Sequence, residues 1–218
     1  MSVFEHRITH IGERALLLDV AGPMNVDVQK RIWAMARHLA GHHEVVETVP
    51  GVHSILVVLA PDVAPEAFRE LLDAMWRQVE PLDTAGRLIE VPVSYGGEMG
   101  EDLADLAATH ELSVDEVVKR HTRPEYTVFA LGSQPGLGYL GGLDPSLATP
   151  RRAVPRLSVV EGSIIIGGAQ AGILSCTSPC GWHIIGHTAL KVFDAHGKPP
   201  ALLAPGDRIR FRAVEVLP

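Results

Sequence analysis

Apolar and polar residues alternate in two different rhythms along this chain, and the rhythm changes near residue 124. In the first ~90 residues, strand-like and helix-like patterns take turns. Ile8 to Ile11 and Ala15 to Val20 predict strands. Val28, Ile32, Met35 and Leu39 recur at helical spacing and predict a helix over 24–40, with Gly41 as its stop. Val45 to Val49 and Val52 to Leu59 predict two strands joined at Pro50-Gly51. Phe68, Leu71, Leu72, Met75 and Val79 form one apolar stripe, so a second helix is expected from Pro65 to Val79. Arg87 to Val93 predicts a further strand. The order β-β-α-β-β-α-β suggests a small α/β sandwich, with both helices on one face of a mainly antiparallel sheet.

Tyr95-Gly-Gly-Glu-Met-Gly100 interrupts this pattern. Two short helices are expected at about 101–110 and 114–121. Ser113-Val-Asp-Glu116 opens the second as a capping box. Beyond Pro124 the helical signal fades. Strands are expected at 126–131, 163–167, 171–175, 182–186, 190–194 and 207–216, divided by turn residues as in a β-barrel or sandwich. The fold class is therefore α+β. The domains are expected over 1–85, the α+β unit, and 86–218, the all-β unit with its short helical pair.

Composition narrows the function classes. The 218 residues carry a net charge of −7, which speaks against a broad nucleic-acid or anionic-membrane surface. No apolar run approaches the ~20 residues that span a bilayer, and the polar start does not read as a secretion signal. Two cysteines build no disulfide framework. A cytoplasmic location is expected.

Candidate chemistry concentrates between Leu131 and Asp194, where polar side chains are interleaved with glycine and proline. Such composition shapes loops, and loops on a rigid scaffold commonly hold binding residues. Cys176, Cys180, His183 and His187 are potential zinc ligands, but their spacing is not that of a finger; two buried cysteines and two unrelated histidines are the simpler reading, and no metal is assigned. His43-Glu44-Val-Val-Glu47 resembles half of a zincin motif and lacks its second histidine. Gly132 to Gly142 lacks the Gly-Lys-Ser/Thr ending of a phosphate loop, and turns at barrel corners explain its glycines. Arg151 and Arg156 offer planar forks for a carboxylate or phosphate, with solvated loop charges as the plain alternative. Tyr139 and Trp182 could wall a ligand or pack a core.

Taken together these residues resemble the allophanate hydrolase subunit 1 family, which includes the B-type subunits of 5-oxoprolinase and Kip-type kinase inhibitors and is similar to part of the urea carboxylase carboxyltransferase domain. The resemblance rests on Pro92-Val-x-Tyr95-Gly-Gly-Glu98, Pro135-Gly136, Tyr139-Leu-Gly-Gly142, Thr149-Pro-Arg151, Gln170, Gly172, Ser178-Pro179, Gly181-Trp182 and Gly186. It implies a cyclophilin-like β-barrel after the α+β domain. It implies two partners, a homologous C-type subunit (of the allophanate hydrolase subunit 2 kind) and a third lactam-hydrolase subunit. Together these would open the ring of a small lactam with ATP. The chain departs from the family pattern with Ser133, Leu137, Ala171, Cys180 and, in place of an arginine, His187.

The resemblance implies a site on one barrel face. His187, Arg151 and Gln170 are the catalytic candidates. Gln134, Gly136, Tyr139, Arg156, Ser178 and Trp182 are the substrate-binding candidates. Two other readings compete: a non-enzymatic Kip-type inhibitor of a sensor histidine kinase, and a carboxyltransferase-like half-site acting on urea or another small amide.

Overall fold

The computed structural model describes residues 4–82 and 86–218. The chain divides into two compact units, Met1–Thr84 and Ala85–Pro218.

The first unit runs β1 (His6–Ile11), β2 (Ala15–Val20), α1 (Val26–Leu39), β3 (Val45–Pro50), β4 (Ser54–Leu59) and α2 (Pro65–Gln78). Its four strands form an antiparallel sheet in the order β1-β2-β4-β3. Alternation decides which face is covered: Leu16, Leu18, Ile55, Val57 and Leu59 are buried, while their strand neighbours are partly exposed. Both helices bury one stripe in the same core, Ile32, Met35 and Leu39 from α1 and Phe68, Leu72 and Trp76 from α2. Burying each of these side chains is worth roughly 1.5–3 kcal/mol. Asn25 caps α1 by accepting from the Asp27 and Val28 amides. Arg31, nearly buried, donates to the Trp76 carbonyl at 2.6 Å and places its guanidinium over the Trp76 ring, which ties α1 to α2.

The second unit runs β5 (Leu88–Tyr95), α3 (Leu103–Thr109), α4 (Val114–Thr122), β6 (Tyr126–Leu131), β7 (Gly138–Gly141), β8 (Arg156–Val159), β9 (Ser163–Gly167), β10 (Gln170–Ile173), β11 (Ser178–Cys180), β12 (His183–His187) and β13 (Arg208–Val216). Seven strands close a barrel in the order β10-β7-β6-β13-β5-β12-β9. Closure leaves no open edge. Strands β8 and β11 form a separate two-stranded sheet. The barrel core includes Val91, Val93, Tyr126, Val128, Ile164, Ile166, Ile209 and Phe211. Leu103 and Leu106 from α3 and Val117 from α4 join it.

Two expectations from the sequence do not hold in the structure. The strand after α2 does not complete the first sheet. It is β5, a barrel strand, paired in parallel with β13 and antiparallel with β12. The expected strand at 190–194 is not one; a single bridge joins Phe193 to Ala201. Conversely β7, β8 and β11 are strands that glycine, proline and short length disguise.

Candidate functional site

The glycine-rich run after Leu131 is the β6–β7 turn. It folds back on itself, with Gly132 N–H donating to the Leu137 carbonyl and Leu137 N–H to that of Gln134. Gly136 sits at φ 78°, and a Cβ there would meet Phe193 at 2.7 Å. Close approach, rather than contact with a ligand, accounts for this glycine.

Beside the turn lies a groove of about 300 Å³, lined among others by Gln134, Tyr139, Arg151, Arg152, Pro155, Cys180 and Trp182. Its bed is a small second core of Leu137, Val159, Ile165, Leu174, Cys180, Trp182 and Ile184. Tyr139 meets Trp182 edge-on, with ring centres 6.1 Å apart. The Trp182 indole is pressed on Gly167, where a Cβ would stand 2.4 Å from the ring. The guanidinium of Arg151 lies over the Trp182 ring, 5.6 Å from its centre. Among the described residues Arg151 has no carboxylate partner, so its fork is available to an anion. Gln134 donates to the Ser178 hydroxyl at 2.5 Å and accepts from the Cys176 thiol at 3.5 Å.

One ionic cluster fixes the groove wall. Asp102, buried just ahead of α3, receives Arg156 through both guanidinium nitrogens at 2.8 Å and Arg152 at 2.9 Å. It also accepts the Ile184 amide at 2.7 Å. Burial by itself would raise its pKa. The Arg156 hydrogen bonds, the Ile184 N–H and the two positive charges outweigh that and hold the carboxyl below its usual range. Arg156 makes a further ion pair with Glu101. The Arg152 backbone N–H donates to the Gly181 carbonyl, tying the loop to the link between β11 and β12 that bears Trp182.

The structure therefore sorts the sequence candidates. Gln134, Tyr139, Arg151 and Trp182 line the groove, and Ser178, outside the lining, is tied to them through its hydrogen bond with Gln134. Arg156 is close by, but its fork is occupied by Asp102 and Glu101. Gln170 opens β10 opposite Gly167, outside the groove lining. His187 lies elsewhere, in a small cavity of about 80 Å³ with Ser175, Thr188 and Lys191, and its Nε2 meets the Glu161 carbonyl at 3.0 Å. Leu174 lines both spaces.

The four-ligand zinc arrangement does not form. His183 Nε2 is taken by the Pro150 carbonyl, His187 by that of Glu161, and the Cys180 sulfur by the Trp182 amide. A bulge between Ile184 and Gly186 also breaks the shared parity expected of His183 and His187. The sequence reading missed Asp102 and Arg152. Their only local signal is the Arg151-Arg152 doublet; the pairing with Asp102 spans 50 residues.

A mixed α+β chain with a closed seven-stranded barrel and an aromatic, arginine-flanked groove defines a carboxyltransferase-like class of domain. The chain belongs to the family of the carboxyltransferase domain, subdomain C and D, whose model matches residues 6–203. It is 46% identical over 202 residues to the B subunit of 5-oxoprolinase from Escherichia coli O157:H7, covering 92% of this chain and 93% of that one. It is 40% identical to the B subunit of 5-oxoprolinase from Haemophilus influenzae, covering 94% and 96%. Among solved structures, TTHA0988 is similar with a TM-score of 0.78 and 32% identity; the match covers 93% of this chain and 40% of that longer one. The urea amidolyase of K. lactis shares the fold at a TM-score of 0.84 and 18% identity, covering 98% of this chain and 15% of that one. Among the described residues no helix is long and apolar enough to cross a membrane.

Proposed function

We propose that this chain is the B-type subunit of an ATP-dependent 5-oxoprolinase, a hydrolase complex, and that its groove holds the lactam. The observation that carries this reading is identity of 46% and 40%, over more than nine-tenths of the chain, to relatives that are B subunits of 5-oxoprolinase.

The groove chemistry fits a small anionic lactam. Arg151 offers a free planar fork for the carboxylate, adding a charge-assisted pair of hydrogen bonds. Gln134, held in place by Ser178 and the Cys176 thiol, presents its side-chain amide to the ring amide. Tyr139 and Trp182 supply flat apolar walls for a five-membered ring. Asp102, through Arg152 and Arg156, positions the loop that bears Arg151. His187 and Gln170 act from outside the groove in this scheme.

An unactivated lactam is a poor electrophile. Transfer of the γ-phosphoryl group of ATP to the lactam oxygen makes the ring carbon electrophilic; water adds there, the C–N bond breaks with the nitrogen leaving as the amine, and a second water hydrolyses the resulting acyl phosphate, giving glutamate, ADP and phosphate. The phosphate-handling groups are assigned to the partners, a homologous C-type subunit and a third lactam-hydrolase subunit, because the turn at Gly132 to Gly142 has no phosphate-loop ending. The test is 5-oxoproline-dependent ATP hydrolysis by the reconstituted complex, with this chain omitted as control. Glutamate release that requires this chain supports the reading. Equal release without it, or direct binding to a histidine kinase with no turnover, overturns it.

A further inference from the structure

The turn between α1 and β3 carries three potential metal ligands in succession, His42, His43 and Glu44. Their ligand atoms all lie within 4.8 Å of one another. Among the described residues no other histidine, cysteine and carboxylate side chains converge in this way. Two imidazoles and a carboxylate are the donor set of zinc-class divalent ions.

Two observations turn the cluster into a site. The first is a distance. Bonds of ~2.0–2.1 Å to a tetrahedral ion place neighbouring ligand atoms ~3.3–3.4 Å apart. His42 Nδ1 and Glu44 Oε2 are 3.5 Å apart. The second is an unsatisfied atom. His42 Nδ1 is shielded from solvent and makes no hydrogen bond, so its approach to Glu44 lacks hydrogen-bond geometry. A buried polar nitrogen without a partner calls for one.

The supporting frame is fixed. The His42 ring meets Phe68 edge-on, with centres 5.8 Å apart, and stacks on His43 within 13° of parallel. The backbone is pinned on both sides: His42 N–H donates to the Leu39 carbonyl, Val45 N–H to that of His42, and Ala60 N–H to that of Glu44. A rigid turn presents ligands with little ordering cost.

We propose that His42, His43 and Glu44 bind one zinc-class divalent cation, with water in an open fourth position. The ion clamps the α1–β3 turn of the first unit and is independent of the groove on the barrel. A site that binds only the folded chain also stabilises it in proportion to occupancy.

The test uses the full chain without a histidine tag. Zinc is titrated calorimetrically, cobalt(II) absorption reports tetrahedral coordination, and Tm is followed with and without zinc. His43 is exposed, so His43→Ala changes the ligand set without disturbing the core; Glu44→Gln is the second variant. One ion per chain is expected, bound at least tenfold more weakly in either variant, with a zinc-dependent rise in Tm confined to the unsubstituted chain. The double variant Cys176→Ser, His183→Gln should bind as the unsubstituted chain does. Undiminished binding in His43→Ala and Glu44→Gln, loss in the cysteine–histidine variant, or no binding at micromolar zinc overturns the proposal.

Discussion

Asp102 and Arg156 face each other as a two-pronged ion pair, each guanidinium nitrogen 2.8 Å from a different carboxylate oxygen, in a site where Asp102 is only 3% exposed. This pair links the start of α3 to β8, and through Arg152 and Ile184 it reaches the groove loop and β12. Asp102→Asn leaves Arg152 without its carboxylate and Arg156 with Glu101 alone. We expect a stability loss of about 3 kcal/mol, the low end of the range for breaking a buried ion pair. Denaturant unfolding measures it.

The same residue has a defined pH signature. Its folded pKa lies below the ordinary value of 3.8. The unfolded state therefore takes up its proton first as the pH falls. The stabilisation is complete above the unfolded value and disappears as the pH drops through the depressed folded value. Unfolding curves of the native chain and of Asp102→Asn should differ most at neutral pH and converge in acid.

His121 behaves as a buried base. It meets the Tyr95 hydroxyl through Nδ1 at 2.7 Å and packs on Phe211. Burial lowers its pKa to about 3. Between the unfolded value of 6.5 and about 3, the unfolded state binds a proton that the folded state refuses. Stability should fall with decreasing pH across that window, by up to ~1.4 kcal/mol per pH unit. His121→Gln should remove this slope, as read by thermal melts at a series of pH values.

Gly167→Ala tests the aromatic wall. Its backbone is not left-handed, so the effect is steric: the new Cβ would stand 2.4 Å from the Trp182 indole. Displacing the ring should cost about 1–3 kcal/mol and move Trp182 away from Arg151. A shift in tryptophan emission together with a raised KM for the lactam is the expected reading.

Much of the fold was legible because one face of each element is buried. The stripes of α1 and α2 and the alternation of β2 and β4 follow from that. The place of β5 was not legible, because its neighbour β13 lies some 120 residues further along and nothing local marks a parallel partner. The same holds at the site. Tyr139, Arg151 and Trp182 stood out as polar or aromatic residues among glycines. Asp102 did not, since an acidic residue before a helix ordinarily reads as a cap; here its side chain makes no capping bond and turns to the arginines. His187 looked like a neighbour of Trp182 in sequence, yet the bulged β12 carries it to a different cavity.

The groove beside Arg151 is proposed to hold the lactam carboxylate. The most direct measurement is kcat/KM for 5-oxoproline in the reconstituted complex, with Arg151→Ala and Arg151→Lys in this chain. Losing a charged hydrogen-bonding partner worth ~1.5–3 kcal/mol predicts a ten- to hundredfold drop for Arg151→Ala. Arg151→Lys should recover part of it, because the charge remains and the planar fork is lost. Unchanged kcat/KM in Arg151→Ala, with the complex fully assembled, would contradict the account.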